Sequence, residues 1–328
     1  MRAVVYCDYG VSNLRLREIE KPAPREDQVL VKVRAASVNP LDWHFVEGTP
    51  YMGRFLFGFG ARKPKETRLG VDFAGTIEAV GKNVTKYKPG DEVFGGRTGA
   101  FAEYVCVREG GGMALKPANV TFQQAASVPV AGITALQALR DKGKVQPGQK
   151  VLINGASGGV GTFAVQIAKS YGAEVTGVCS TRNVELVRAI GADHVLDYTQ
   201  DDFSRSGQHY DVILDNVGTQ PLSKFRRALN PRGICVIVGG GGPRDGLFVG
   251  PFPRLLEALL LSPFIGQKFE SFFAQLNARD MAILSDLMRA GQIAPVIDRA
   301  YSLDQIVEAI RYVEQGHARG KVIIAVER

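Results

Sequence analysis

Hydrophobic positions in the first third of the chain come in short runs broken by Gly and Pro, at residues 1–6, 28–35, 74–80, 91–94 and 101–107. Runs this short, closed by turn residues, predict β-strands, and the stretch from Met1 to about Pro117 reads as a mostly antiparallel β domain. From about Ala118 to Pro295 the period changes. Strand-like runs at 150–154, 174–179, 194–196, 210–215 and 233–238 alternate with helical patterns, which predicts a parallel sheet with helices on both faces. A helix at 303–314 and a strand at 321–326 have no place in that sheet and are expected to rejoin the first domain. The expectation is an α/β chain of two domains, 1–117 with 296–328 and 118–295, and no internal repeat.

The richest pattern within the alternating half is Val151-Leu-Ile-Asn-Gly-Ala-Ser-Gly-Gly-Val-Gly161, a buried-strand run entering a glycine-rich turn and then an apolar helical face. Glycines there let the backbone turn sharply and approach a pyrophosphate, whose charge is met by the amides and the positive end of the helix. Gly155, Ser157, Gly158, Gly159, Val160 and Gly161 are therefore candidate dinucleotide contacts. The next strand ends in Ser180-Thr181-Arg182, where an NAD-preferring site carries an acid for the ribose 2′-hydroxyl roughly 20 residues beyond the glycines. Two hydroxyls and a guanidinium suit a 2′-phosphate, so Ser180, Thr181 and Arg182 point to NADPH. A helix cap followed by a solvated arginine is the alternative for this tripeptide.

Composition changes this picture little. The 328 residues are 45% hydrophobic and 22% charged, enough for a sizeable core. The formal net charge is +7, but Lys and Arg are scattered among acids, which suits mild attraction for anionic ligands and gives no basic stripe for nucleic acid. The amino terminus reads as a first strand without a secretory or transit pattern, so the expected location is cytoplasmic. Cys7, Cys106, Cys179 and Cys235 stand singly in apolar runs and are expected to be reduced core residues. Segment 247–265 is apolar but too interrupted by Pro and charge to span a bilayer; a lid, a subunit contact and a helix resting on a membrane surface are its three readings.

Ala36-Ser-Val-Asn-Pro-Leu-Asp42, Lys88-Pro-Gly-Asp-Glu-Val93, Ala125-Ala-Ser-Val-Pro129, the glycine turn, Gly191-Ala-Asp-His-Val-Leu-Asp-Tyr198, Leu214-Asp-Asn-Val-Gly218 and Gly316-His-Ala-Arg-Gly-Lys321 together carry a resemblance along nearly the whole chain. It resembles a medium-chain dehydrogenase/reductase of the zinc-independent quinone oxidoreductase type. Within that type it is similar to the reticulon-interacting mitochondrial NADPH reductases and the plastid-envelope quinone or oxoene reductases. The resemblance implies a GroES-like β-rich catalytic domain plus a Rossmann, doubly wound parallel-sheet domain, with the cofactor in the cleft between them. It also implies a homodimer. Zinc-dependent alcohol dehydrogenases of the same superfamily carry a catalytic Cys where this chain has 37–40, and Gly-His-Glu where it has Gly70-Val71-Asp72. Their four-cysteine structural zinc lobe is reduced here to Cys106. Zinc needs three or four ligands around one point, and His44, His194, His209 and His317 are too separated to supply them, so a metal-free site is expected.

The implied reaction is hydride transfer from NADPH to a small-molecule quinone or to the β-carbon of an α,β-unsaturated carbonyl, with the protein positioning the partners. An enoyl-thioester reductase and an NADPH-binding sensor or scaffold without turnover are the alternatives. By resemblance Asn39 and Asp42 lie at the floor of the active site; equally, Asn39-Pro40 is a turn and Asp42 caps the helix after it. Tyr51 lies one residue away from a proton-relaying tyrosine of related enoyl-thioester reductases, its other reading being an aromatic wall. Tyr198 is expected near the adenosine, Asn216 and Val217 along the ribose, Thr134 on the nicotinamide side, and Gly239 and Gly240 at a close backbone approach or in an ordinary loop. Arg319 and Lys321 either add positive charge at the cleft or form a solvated turn.

Overall fold

The apolar run that opens the chain forms β1 (Arg2–Val5), paired antiparallel with β2 (Arg15–Glu18). The computed structural model describes residues 1–51, 54, 60–65, 67–239, 256–257 and 266–327. The Val-rich β3 (Gln28–Val38) follows, and it is buried along nearly all its length because it takes neighbours on both edges. It pairs antiparallel with β4 (Asp72–Val80), β6 (Tyr104–Arg108) and β15 (Lys321–Ala325). With β5 (Glu92–Gly96), β7 (Met113–Leu115) and β14 (Ile297–Ser302) these make a seven-stranded sheet in the order β14-β15-β3-β4-β5-β7, β6 lying off that path on β3. Only the β14/β15 pair in it is parallel.

The β3/β4 ladder shifts register twice. Between Leu30 and Val31 the β4 residue Glu78 is left without an opposite number, and between Val33 and Ala35 the β3 residue Arg34 is. Beyond both shifts Ser37 faces Asp72. Helix α1 (Pro40–Glu47) starts directly after β3, with Pro at its first position and Gly48 closing it at φ 61°. Two short helices follow β7, α2 (Phe122–Ala126) and α3 (Pro129–Gln137).

The second unit is a six-stranded, wholly parallel sheet. Its strands are β8 (Lys150–Asn154), β9 (Glu174–Cys179), β10 (His194–Asp197), β11 (Tyr210–Asp215), β12 (Leu229–Ile237) and β13 (Lys268–Ser271), joined in part by α4 (Gly159–Ser170), α5 (Val184–Ala189) and α6 (Leu222–Ala228). The order β10-β9-β8-β11-β12-β13 is the doubly wound order of dinucleotide-binding sheets. Its direction reverses between β8 and β11, and ligands of such sheets lie beyond the carboxyl ends at that point.

By contacts the chain divides into Met1–Ile133 with Gln275–Arg328, and Thr134–Ala274. These limits differ from the 117/118 and 295/296 read from the sequence. The reason is side-chain anchoring that periodicity does not encode. Helix α7 (Ala278–Arg289) is tied to the first unit by Ser285 Oγ donating to Leu115 O at 2.9 Å, and Asn119 Nδ2 donates to Met288 O at 2.9 Å. Helix α8 (Ile306–Glu314) adds Ile306, Ala309 and Ile310 to the core of that unit, beside Phe73 and Phe101.

The cysteines are all free, but Cys7 is exposed, against the expectation of a core position, because it falls in the bend after β1; Cys179 and Cys235 are buried. Among the described residues no helix is long and apolar enough to cross a membrane. Segment 247–265 lies outside the described residues apart from 256–257.

The parallel sheet rests on one face on a cluster in which Phe225, fully buried, stacks on Phe203 with ring centroids 5.4 Å apart. Phe225→Ala is expected to lower the unfolding free energy by roughly 3–5 kcal/mol. A urea titration checks this, and an unchanged midpoint would refute the assignment of Phe225 to the core.

Candidate functional site

Three strand ends of the first unit converge on a buried polar cluster. Ser37 ends β3, Asp72 begins β4, and Lys321 begins β15 next to the residue that pairs with Val38. Asn39, just past β3 and at the mouth of α1, completes the set; Ser37, Asn39, Asp72 and Lys321 are each at most 3% exposed. Lys321 Nζ donates to Asn39 Oδ1 at 2.5 Å and lies 3.4 Å from both Val38 O and Asp72 Oδ2. Asp72 Oδ2 also accepts from Ser37 Oγ (2.8 Å) and Asn39 Nδ2 (2.9 Å), and its Oδ1 accepts from Val130 N (3.0 Å). A buried ion pair is tolerated only when its remaining lone pairs and protons find partners, and here they do.

Asp42, on the first turn of α1, is fully buried and accepts from Asn39 N at 2.8 Å through Oδ2. Asn39 joins the cluster, and Asp42 closes the helix end. Its Oδ1 is buried without a hydrogen-bond partner among the described residues. Burial, helped by the charge of Asp72 and opposed by the Asn39 hydrogen bonds and Lys321, pushes the Asp42 carboxyl up to about 7.

Lys321 is thus interior, neither a solvated turn nor an exposed charge. Arg319 is exposed, and its backbone N donates to Asp298 Oδ2 at 3.0 Å. Tyr51 is 37% exposed, its ring 4.8 Å from the Arg54 guanidinium, which also donates to the carbonyls of Glu47 and Gly48. Thr134 is buried on α3.

In the second unit the glycine turn follows β8. Gly155 has φ 78°, and a Cβ on Gly161 would come within 2.1 Å of Gly155 O, so neither position tolerates a side chain without rebuilding the turn. Gly158 caps α4, whose first turn, including Gly159 and Val160, holds no acid. The first amides of a helix lack intrahelical partners and point at whatever lies before it. Ser157 Oγ accepts from Asn183 Nδ2 at 2.9 Å, which leaves its own proton to give. Asn216 Nδ2 donates to Asn154 O at 3.2 Å, while Asn216 Oδ1 is buried and unpartnered among the described residues. Asp215, fully buried at the end of β11, accepts from Asn154 Nδ2 and from the amides of Val217 and Gly218. A Cβ on Gly239 would meet Asn216 O at 2.4 Å, so backbone passes close to backbone there. Gly240 lies outside the described residues. Val217 and Tyr198 are 37% and 59% exposed. Arg182 and Thr181 are exposed and Ser180 half-buried.

Sequence reading missed three participants. Asp72 and Ser37 were given no role beyond standing where zinc ligands are lacking, and Asp197, which accepts from Thr181 Oγ1, was given none within the Gly191–Tyr198 motif. The signal for Asp72 was a lone acid inside an apolar run, Leu69 to Ala74, which is costly unless paired. Among the described residues no three His, Cys, Asp or Glu side chains gather as a metal-binding group.

Comparison with known proteins adds six findings. Residues 25–118 match the family Alcohol dehydrogenase GroES-like domain, and residues 190–324 the family Zinc-binding dehydrogenase. The chain is 32% identical over 343 residues to a chloroplastic quinone oxidoreductase of Triphysaria versicolor, covering 99% of this chain and 98% of the relative. It is 36% identical over 320 residues to a trans-enoyl reductase of Aspergillus terreus, covering 92% and 87%. Its fold is similar to the quinone oxidoreductase of Coxiella burnetii (TM-score 0.85, 30% identity, 100% and 99% covered) and to a mycobacterial protein complexed with NADPH (TM-score 0.81, 25% identity, 99% and 100% covered).

Two stability measurements check the cluster. Lys321→Ala is expected to cost roughly 3–5 kcal/mol by orphaning the Asp72 charge, and adding Asp72→Asn to recover part of that. Equal losses in the single and double variants would show that the buried charge is not the cause. Asp42 titrates higher when folded than its ordinary 3.8, so wild type loses stability as pH climbs from about 4 to about 7, and Asp42→Asn does not. Relative to wild type, Asp42→Asn should gain on the order of 4 kcal/mol across that window and stay level on either side. Urea unfolding at several pH values reads this, and a constant difference would contradict it.

Proposed function

Because the chain belongs to the quinone oxidoreductase type of the medium-chain dehydrogenase/reductase superfamily and is an NAD(P)H-dependent oxidoreductase, we propose that it reduces a quinone or an α,β-unsaturated carbonyl with NADPH and without zinc. The observation that carries the reading is the glycine turn at the β8 end of a doubly wound sheet, followed on β9 by a tip bearing Arg182. The residues fit a dinucleotide. The tight turn that Gly155 and Gly161 permit, an α4 start without acids and the unpartnered Oδ1 of Asn216 all support that fit. Bound there, the reduced nicotinamide supplies the hydride.

The chain's own part is to bind, orient and exclude water. The amides at 159–161 and the Ser157 hydroxyl hold the pyrophosphate, Arg182 with Ser180 the 2′-phosphate, Thr181 the ribose beside it, and Tyr198 the adenosine side. Asn216, Val217, Gly239 and Thr134 line the way to the nicotinamide. Asn39 and Asp42 form a rigid floor, held from behind by Lys321, whose charge keeps the Asn39 amide in one orientation. Asp42 keeps any proton it carries in the interior, since it is fully buried, so the proton that follows hydride onto an enone is assigned to water or to the exposed Tyr51.

The zinc-free part of the reading is supported by what stands at the superfamily's ligand positions. Ser37 and Val71 are poor ligands, and the Asp72 oxygens already accept from Ser37, Asn39, Lys321 and Val130. A cytoplasmic location is supported by the four free cysteines, and a homodimer by β13, the outermost described strand of its sheet, with Phe273 beside it 77% exposed. The second reading, an enoyl-thioester reductase, is favoured by the trans-enoyl reductase relative.

Anaerobic oxidation of NADPH, and separately NADH, after chelator treatment and with a panel of quinones, free enones and an enoyl-CoA tests the reading. Turnover that survives chelation and favours NADPH is expected, with a quinone or free enone as the better acceptor. Preference for the thioester would select the second reading, binding without turnover would indicate a sensor or scaffold, and loss on chelation would overturn the zinc-free assignment.

A further inference from the structure

The segments after β9 and β10 meet through side chains. Thr181 Oγ1 donates to Asp197 Oδ2 at 2.5 Å and lies 3.0 Å from Thr199 Oγ1. Thr199 gives its backbone N (3.0 Å) and hydroxyl (2.8 Å) to Asp197 Oδ1, and Gln200 Nε2 reaches Oδ2 at 3.2 Å. The β9/β10 register sets Asp197 opposite Cys179, the last residue of β9, so this carboxylate is level with the Ser180-Thr181-Arg182 tip. In a doubly wound sheet that level belongs to the adenosine ribose, and the group at the tip of the second strand decides between a 2′-hydroxyl and a 2′-phosphate. The tip itself carries no acid, yet the fold delivers one from the neighbouring strand.

We propose that Asp197 is a specificity-determining residue of the nucleotide site, opposing Arg182 so that the preference for NADPH is held down and NADH is also accepted. This rests on the dinucleotide reading given above. Two physical effects carry it. A 2′-phosphate resting on Thr181 is brought close to a carboxylate of like charge. In addition, the Thr181 proton is already given to Asp197, which leaves that hydroxyl as an acceptor; a ribose hydroxyl can donate to it, whereas a phosphate cannot. The hydrogen bond from Thr181, with those from Thr199 and Gln200, holds the Asp197 carboxyl below its usual range, so the charge persists at neutral pH. Like charges about 5 Å apart in a solvent-screened site change affinity by about tenfold.

Dissociation constants of NADPH and NADH, measured by fluorescence titration on the full chain, test the proposal. Asp197→Asn keeps an oxygen to accept from Thr181 while removing the charge; it should tighten NADPH about tenfold, leave NADH unchanged or weaker, and lose much of that gain at high salt. Asp197→Ser, a second way to remove the charge, should give the same direction, and Arg182→Ala should weaken NADPH alone. Wild type binding a dinucleotide while both Asp197 variants leave the two constants unchanged, or weaken them equally, would overturn the inference. Wild type binding neither dinucleotide would overturn the underlying site reading, and this inference with it.

Discussion

The first unit depends on a charge that cannot be left alone. Lys321 and Asp72 are both in the interior, and desolvating such a pair costs several kcal/mol per ion, which their mutual attraction offsets only with full hydrogen bonding around it. That requirement reaches far along the chain. Ser37 at the end of β3, Asn39 at the entrance of α1, and the Val130 amide at the start of α3 all serve the same carboxylate. The carboxyl-terminal strand β15 is thereby fastened to a site otherwise built from the first half of the sequence. Helix α3, which continues past the division at Ile133, is held at its beginning by the same group. A hydrophobic substitute for the pair would fill the volume, but it would not orient the Asn39 amide.

Burial beside this cluster raises the Asp42 carboxyl. It stands one helical turn from Asn39, fully buried, and feels the Asp72 charge, while Lys321 pulls the other way. Burial and a neighbouring carboxylate both disfavour the ionised form of Asp42, and its Oδ1 has no donor among the described residues to offset them.

Much of the fold was legible because it rests on local rules. Strands β8 to β12 alternate with helices except between β10 and β11, the glycine turn sits where a strand meets a helix, and the doubly wound order follows from right-handed crossovers of such units. Residues whose role is set by long-range register were not legible. Lys321 lies 249 positions from Asp72, and nothing in Ala-Arg-Gly-Lys distinguishes a buried ammonium from a solvated one. Asp197 escaped for a related reason: the reading looked along β9 for an acid, and the acid arrives sideways from β10. Contacts divide the two units at other residues than periodicity does, because periodicity identifies α7 as a helix without saying which sheet it packs on. Only the hydrogen bonds to Leu115 and Asn119 decide that.

The two register shifts in the β3/β4 ladder have an evolutionary meaning. Each adds an unopposed residue, Arg34 on one strand and Glu78 on the other, and the two offsets cancel before the ladder reaches Ser37 and Asp72. Side chains alternate between faces, so a single uncompensated deletion of a paired residue in this stretch would send the ladder beyond it to the wrong face. Losing Arg34 or Glu78 itself would straighten the ladder and keep its faces, whereas losing a paired neighbour would turn every residue beyond it over. Length, more than identity, is the inherited quantity along these strands.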